Sequence, residues 1–142
     1  MAFYDYHVHS CFSEDSNAPM VDMVQAGIEK GLAEMCFCDH VDFGYTDPGF
    51  TFLCDVEKQQ EEIAFCQQKY DGQITIKKGL EIGLQPHVLQ QYEDFLPQYE
   101  FDFILASMHT CQQKDIHTGA YFAGNTAKDA YCDYFDSFLT CL

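Results

Sequence analysis

The chain contains no arginine and no tryptophan, and its only basic residues are seven lysines against 23 acidic residues. A formal net charge of −16 over 142 residues argues against nucleic-acid binding, which needs a basic footprint on the phosphates. The missing arginine also removes the planar fork that holds a phosphate through two parallel hydrogen bonds. No apolar run is long enough to span a bilayer. No secretory signal is evident either, so a soluble, cytoplasmic chain without a membrane partner is expected. Eight cysteines are present, but none has the two-residue gap of a zinc or redox motif. Cys36, Cys38, Cys66, Cys132 and Cys141 sit in apolar runs and read as small buried hydrophobes in a reducing compartment. Internal repeats, low-complexity tracts and linkers are lacking, as is any activated serine or cysteine motif. The length suits one domain with a real core.

What is present reads as alternating strands and helices. An apolar start over residues 1–4 leads into Asp5-Tyr6-His7-Val8-His9-Ser10, the C-terminal end of a first strand. Alternation along a strand puts His7 and His9 on one face, and adjacent imidazoles suit a divalent transition metal. An isolated His-x-His also occurs by chance in surface turns. Pro19 opens a helix with Met20, Val24 and Ile28 as its stripe and Gly31 as its cap. Leu32 to Cys38 is an apolar run suited to a strand buried on both faces, and it ends in Asp39-His40. An aromatic, turn-rich loop follows over 41–53, including Asp47-Pro48-Gly49-Phe50.

A second helix is expected over 55–70, with Val56, Ile63, Cys66 and Tyr70 facing inward. A strand over 74–80 ends at Glu81. A weaker helix over 87–96 is stopped by Pro97, and a strand over 101–107 runs into Met108-His109. After a loop containing Gly119 and Gly124, the last helix runs from Thr126 to near the chain end. There Ala127, Ala130, Tyr131, Tyr134, Phe135, Phe138, Leu139 and Leu142 keep the helical period. Thr126 with Asp129 resembles a capping box, with Asp in place of Glu.

Each expected strand therefore ends in a candidate ligand: His7 and His9, His40, Glu81, and His109. In β/α folds the reactive groups gather at the carboxyl ends of the strands. Four of the six histidines fall at that place. Glu81, between Leu80 and Ile82, is costly to bury without a partner, and with so few basic residues a metal ion is the natural counter-charge. Asp15 reads equally as a ligand or as a loop cap. His117 reads as solvated, and His87 as structural or exposed. Asp39 either orients His40 or closes a turn at the strand end.

Taken together, Asp5-Tyr6-His7-Val8-His9-Ser10, Cys36-Phe37-Cys38-Asp39-His40, Gly79-Leu80-Glu81-Ile82-Gly83 and Ser107-Met108-His109 resemble the PHP (polymerase and histidinol phosphatase) family. Within it the chain looks most like the histidinol-phosphate phosphatases. The resemblance implies a trinuclear site of Zn, Mn or Fe at the mouth of a distorted (β/α)7 barrel. By position, His7 and His9 would hold one metal and Glu81 would bridge two. Asp15 and His40 would serve the second, and His109 the third. The implied reaction is phosphate-monoester hydrolysis by metal-activated water, with His40 and Glu81 carrying it. Its substrate would be a small phosphorylated molecule, L-histidinol phosphate, in histidine biosynthesis.

Family members are nearly twice as long, and their later half supplies three strands, a further His ligand, an Asp-x-His motif and basic residues for the phosphate. The expectation is therefore an α/β chain of about four parallel β/α units, a single partial PHP domain over 1–142 lacking the C-terminal half of the barrel. The chain then reads as a fragment of a longer protein, as a truncated reading frame, or as a half-barrel whose open edge pairs with a second copy or with a complementing partner. Two other readings stand beside the phosphatase: a metal-binding remnant without turnover, and a PHP-family phosphoesterase acting on nucleotides.

Overall fold

Parallel pairing begins with β1 (Phe3–Val8) against β2 (Leu32–Phe37). A computed structural model describes residues 2–47 and 49–142. Met1, in the apolar start, and Pro48, in the turn at 47–50, lie outside the described residues. The short β3 (His40–Val41) continues the track of β2 after a break at Cys38-Asp39. β4 (Thr75–Gly83) pairs in parallel with both β2 and β3, and β5 (Phe103–Ser107) pairs with the other side of β4. Helices α1 (Met20–Glu29), α2 (Val56–Lys69) and α3 (Leu89–Phe95) fill the three crossovers. An antiparallel hairpin of β6 (Thr110–Cys111) and β7 (Lys114–Asp115) precedes the last helix, α4 (Ala127–Thr140). This is the parallel α/β arrangement that the pattern of the sequence implies, and the half-barrel that the family resemblance implies.

Two helices cover one face of the sheet. Met20 and Val24 of α1 and Ile63 and Cys66 of α2 pack on Met35, Phe37 and Ile76. Each large apolar side chain buried this way contributes roughly 1.5–3 kcal/mol. Local signals set the helix ends. Gly31, at φ +77°, follows α1 in the left-handed conformation that glycine adopts without strain. Asp55 caps α2 by accepting a hydrogen bond from the Lys58 N–H at 3.2 Å. At α4, Thr126 Oγ1 accepts from the Asp129 N–H at 3.2 Å and donates to the Asp129 carboxylate at 2.7 Å. Asp129 thus grips the hydroxyl of Thr126, where the longer Glu of a capping box would reach the backbone N–H.

The opposite face is concave. Tyr6 of β1 donates its hydroxyl to the Glu34 carboxylate of β2 and meets Phe103 of β5 edge-on at 5.2 Å. Two strand tracks separate β1 from β5, so this contact shows how far the sheet curls. Cys36 and Cys38 sit side by side on this face over Gly79. A Cβ at Gly79 would lie 2.5 Å and 2.6 Å from their sulfurs and 2.7 Å from the Phe37 carbonyl oxygen. The glycine is there because the close approach leaves no room for a side chain.

Several boundaries differ from the sequence reading. β4 runs past Glu81, because Ile82 and Gly83 keep pairing with Ala106 and Ser107; Glu81 is buried inside a strand, not placed at its end. His40 opens β3 instead of closing the preceding strand, so the aromatic loop starts at Asp42. Pro97 lies within a 3-10 turn (Leu96–Gln98) that extends α3. The loop after His109 contains a hairpin turned at Gln112 and Gln113, both at positive φ. In α4 only Ala130 is buried, while Tyr131, Phe135 and Leu139 are exposed; Leu142 lies beyond the helix end and is exposed too. Cys132, expected inside, is exposed on this helix. Among the described residues, no helix is long and apolar enough to cross a membrane.

Candidate metal centre

Four imidazoles stand in a row along the carboxyl-end rim of the sheet. Ring centroids are 4.9 Å apart from His7 to His9, 4.5 Å from His9 to His40, and 4.9 Å from His40 to His109. The order follows the strand tracks: His7 and His9 come from the end of β1, His40 from β3, and His109 from just beyond β5. Glu81 of β4 lies beneath them, 2% exposed. Its Oε2 is 2.7 Å from His7 Nε2, 2.9 Å from His9 Nε2 and 3.6 Å from His40 Nε2. Its Oε1 is 3.1 Å from His109 Nε2. Asp15, in the loop after β1, places Oδ2 at 2.9 Å from His9 Nδ1 and 3.5 Å from His40 Nε2. All six residues singled out as ligands in the sequence thus meet in one place.

Asp42 joins them, although it is not among the ligand candidates of the sequence. Its carboxylate lies 2.5 Å from His109 Nδ1 and 3.5 Å from His40 Nδ1. The signal available was its position two residues after His40, the spacing that returns a side chain to the same face of a strand. Within a stretch rich in Asp, Gly and Pro it resembled a turn residue. Asp39 does not touch the imidazoles. It is fully buried and accepts hydrogen bonds from the Ser10 N–H, the Ser10 hydroxyl and Gln59 Nε2. That fixes the loop after β1 against β2 and α2, so Asp39 holds the rim in shape.

The electrostatics follow from crowding these groups together. Burial works against ionisation of Glu81, but hydrogen bonds from His109, His9 and Ser107 outweigh it and hold the carboxyl well below its ordinary range. Burial likewise opposes protonated His9 and His109. Glu81 and Asp15 nevertheless push His9 up to about 9, and Asp42 and Glu81 push His109 up to about 10. Asp42 is lowered against its burial by His109 and His40. The cluster therefore attracts positive charge, whether carried by protons or by a cation.

The donor set fits divalent metal. Three groups (His7, His9 and Glu81; His9, Asp15 and His40; His40, Asp42 and His109) each offer three ligand atoms within 4.8 Å of one another. Mixed imidazole and carboxylate donors suit Zn, Mn and Fe. His40 Nδ1 and Asp42 Oδ1 are buried without a hydrogen-bond partner, as expected of a site whose polar atoms are arranged for more than one another.

A cleft of about 380 Å³ opens over these groups, walled on one side by Tyr45, Phe50 and Phe52 and lined also by His117. Phe50 stacks on Phe52 with centroids 5.7 Å apart, and Phe52 lies 4.8 Å from the His40 ring. Tyr45 donates its hydroxyl to Asp115 in the hairpin, which pins the wall in place. His117 is exposed, as the sequence suggested, yet it faces this cleft. His87 is exposed and lies elsewhere. A larger groove of about 600 Å³, lined by Ala33, Gln67 and residues 71–76, holds one acid, Asp71, and no imidazole.

The profile of the PHP domain matches residues 5–142. The chain belongs to the PHP domain family. This PHP-domain chain is 35% identical over 139 residues to the histidinol-phosphatase of Lactococcus lactis subsp. lactis, covering 97% of itself and 50% of that protein. It is 29% identical to a "Probable histidinol-phosphatase" of Clostridium acetobutylicum, covering 98% of itself and 52% of that protein. It superposes at TM-score 0.88 and 32% identity on the crystal structure of Lactococcus lactis histidinol phosphate phosphatase complexed with Zn, L-histidinol and phosphate, covering 94% of itself and 51% of that chain. The chain spans about half the length of the curated relatives it matches.

Proposed function

We propose that this PHP-domain chain holds Zn, Mn or Fe ions at His7, His9, Asp15, His40, Glu81 and His109 and forms the metal site of a phosphomonoesterase. Its substrate would be L-histidinol phosphate, hydrolysed to L-histidinol and phosphate. The observation that carries the reading is the convergence of four imidazoles on Glu81 in one cleft. The similar Lactococcus structure with Zn, L-histidinol and phosphate supports the choice of substrate. Bound ions would supply Lewis acidity and bring the pKa of coordinated water toward neutrality.

The chain's own residues have separable tasks. Glu81 presents Oε2 to His7 and His9 and Oε1 to His109, which suits a carboxylate shared between two cations. Asp15 faces His9 and His40 from the loop side. Tyr45, Phe50 and Phe52 exclude water from one flank and offer a flat apolar face to the leaving group. Among the described residues no lysine lines the cleft, so bound ions would be the groups that balance the phosphate charge. Eight free thiols fit a reducing, cytoplasmic setting.

The outer edge of β5 and the exposed stripe of Tyr131, Phe135 and Leu139 on α4 would receive the other α/β half of the barrel, whether continuous with this chain or supplied by a partner. In support, the similar structure is about twice the length of the matched part. A net charge of −16 favours a more basic partner over a second copy. The test is zinc titration of the chain alone, followed by turnover of L-histidinol phosphate with and without the unmatched half of the Lactococcus relative. The expected result is zinc uptake by the chain alone, with turnover rising on addition of that half. Zinc uptake with no turnover in either condition would overturn the enzymatic reading in favour of a metal-binding remnant.

A further inference from the structure

We infer that Asp42 is a positioning residue: one buried carboxylate takes the inner nitrogens of His40 and His109, so that both imidazoles present Nε2 to the metals. The inference rests on the metal reading above. Asp42 Oδ2 lies 2.5 Å from His109 Nδ1, and Oδ1 lies 3.5 Å from His40 Nδ1. Oδ1 and His40 Nδ1 are both buried without another hydrogen-bond partner, so each is the group available to complete the other. The opposite nitrogens face the ligand oxygens. His109 Nε2 is 3.1 Å from Glu81 Oε1, and His40 Nε2 is 3.5 Å from Asp15 Oδ2 and 3.6 Å from Glu81 Oε2. An imidazole binds metal through one nitrogen when the other holds its proton against a carboxylate. A single acid here sets that choice for two rings.

The backbone is built to keep the carboxylate in place. The Asp42 N–H donates to the Phe52 carbonyl at 2.7 Å, and the Asp42 carbonyl accepts from the Tyr45 N–H at 3.3 Å. Beneath the side chain, β4 carries Gly83. A Cβ at Gly83 would lie 2.6 Å from Asp42 Cγ and 2.8 Å from both carboxylate oxygens. Gly83 therefore makes the space that lets Asp42 reach between the two rings.

The experiment needs no variant at first. In the zinc-loaded chain, imidazole 15N spectra should show His40 and His109 with the proton on Nδ1 and zinc on Nε2. Zinc on Nδ1 of either ring would overturn the assignment and make Asp42 a ligand among Nδ1 donors. Asp42→Asn cannot accept from two rings at once, and it should weaken zinc binding by about 10–100-fold while circular dichroism stays unchanged. Unchanged zinc affinity in that variant would overturn the proposal. Gly83→Ala, which keeps the charge but displaces the carboxylate, should shift the same two sets of imidazole signals; signals that stay in place would overturn it too. A wild-type chain that takes up no zinc would instead overturn the metal reading on which this one rests.

Discussion

Glu81 Oε2 lies 2.7 Å from His7 Nε2, although 74 residues separate the two in the chain. The contact exists because β1 and β4 are both parallel to β2, which brings their carboxyl ends to the same rim. An acid buried at 2% exposure would be unfavourable alone. Here it is the floor on which four imidazoles converge.

Removing a floor-facing imidazole should remove metal. His9→Ala deletes the ring that contacts Glu81 through Nε2 and Asp15 through Nδ1. The expected outcome is loss of at least one zinc per chain by elemental analysis. Undiminished zinc content would contradict the role of His9.

The pH dependence of stability should reverse when metal is present. In the metal-free chain His9 and His109 are raised from 6.5 to about 9 and about 10. Groups raised on folding stabilise fully below their unfolded pKa, and that contribution is lost as pH rises through the folded value. Glu81 and Asp42, lowered from 4.5 and 3.8, contribute above those values and lose it as pH falls. With EDTA the melting temperature should be flat between about pH 5 and 6.5 and then fall as pH rises toward 10. With saturating zinc it should rise between about pH 6 and 8, because only neutral imidazoles bind metal. Parallel curves with and without zinc would contradict this.

Tyr92 joins three parts of the rim. Its hydroxyl accepts from the Phe43 N–H at 3.0 Å and stands 2.9 Å from both the Val41 and the Gly83 carbonyl oxygens. Tyr92→Phe leaves buried backbone groups unpaired and should destabilise the chain by about 1–3 kcal/mol. Urea unfolding measures this, and a change within error would show the hydroxyl to be dispensable.

Gly79→Ala should be destabilising by about 1–3 kcal/mol through overpacking against Cys36 and Cys38. Adding Cys38→Ala should restore part of the loss, since the Phe37 carbonyl oxygen still lies 2.7 Å from the new methyl. Full additivity of the two changes in urea unfolding would argue against that contact.

Much of the rim could be read from the sequence because histidine is uncommon and strand ends are recognisable. His7, His9, His40 and His109 each follow an apolar run, and Glu81 interrupts one. Asp42 was not legible, since an acid in a loop of Asp, Gly and Pro carries no mark of burial. The hairpin at Gln112-Gln113 was hidden because glutamine seldom adopts positive φ. In α4 the period was right, but it generates two adjacent apolar stripes. Nothing local tells the face of Ala130 and Phe138, which packs on the core, from that of Tyr131 and Phe135, which does not. Gln59 shares the helical spacing of Val56 and Ile63 on α2, but only the fold shows its amide buried against Asp39.

The most direct test is diffraction at the zinc absorption edge from crystals of the chain grown with zinc. The account predicts an anomalous peak within bonding distance of His7 Nε2, His9 Nε2 and a Glu81 carboxylate oxygen. Zinc found only at other groups, with those three side chains hydrogen-bonded to one another, would contradict it.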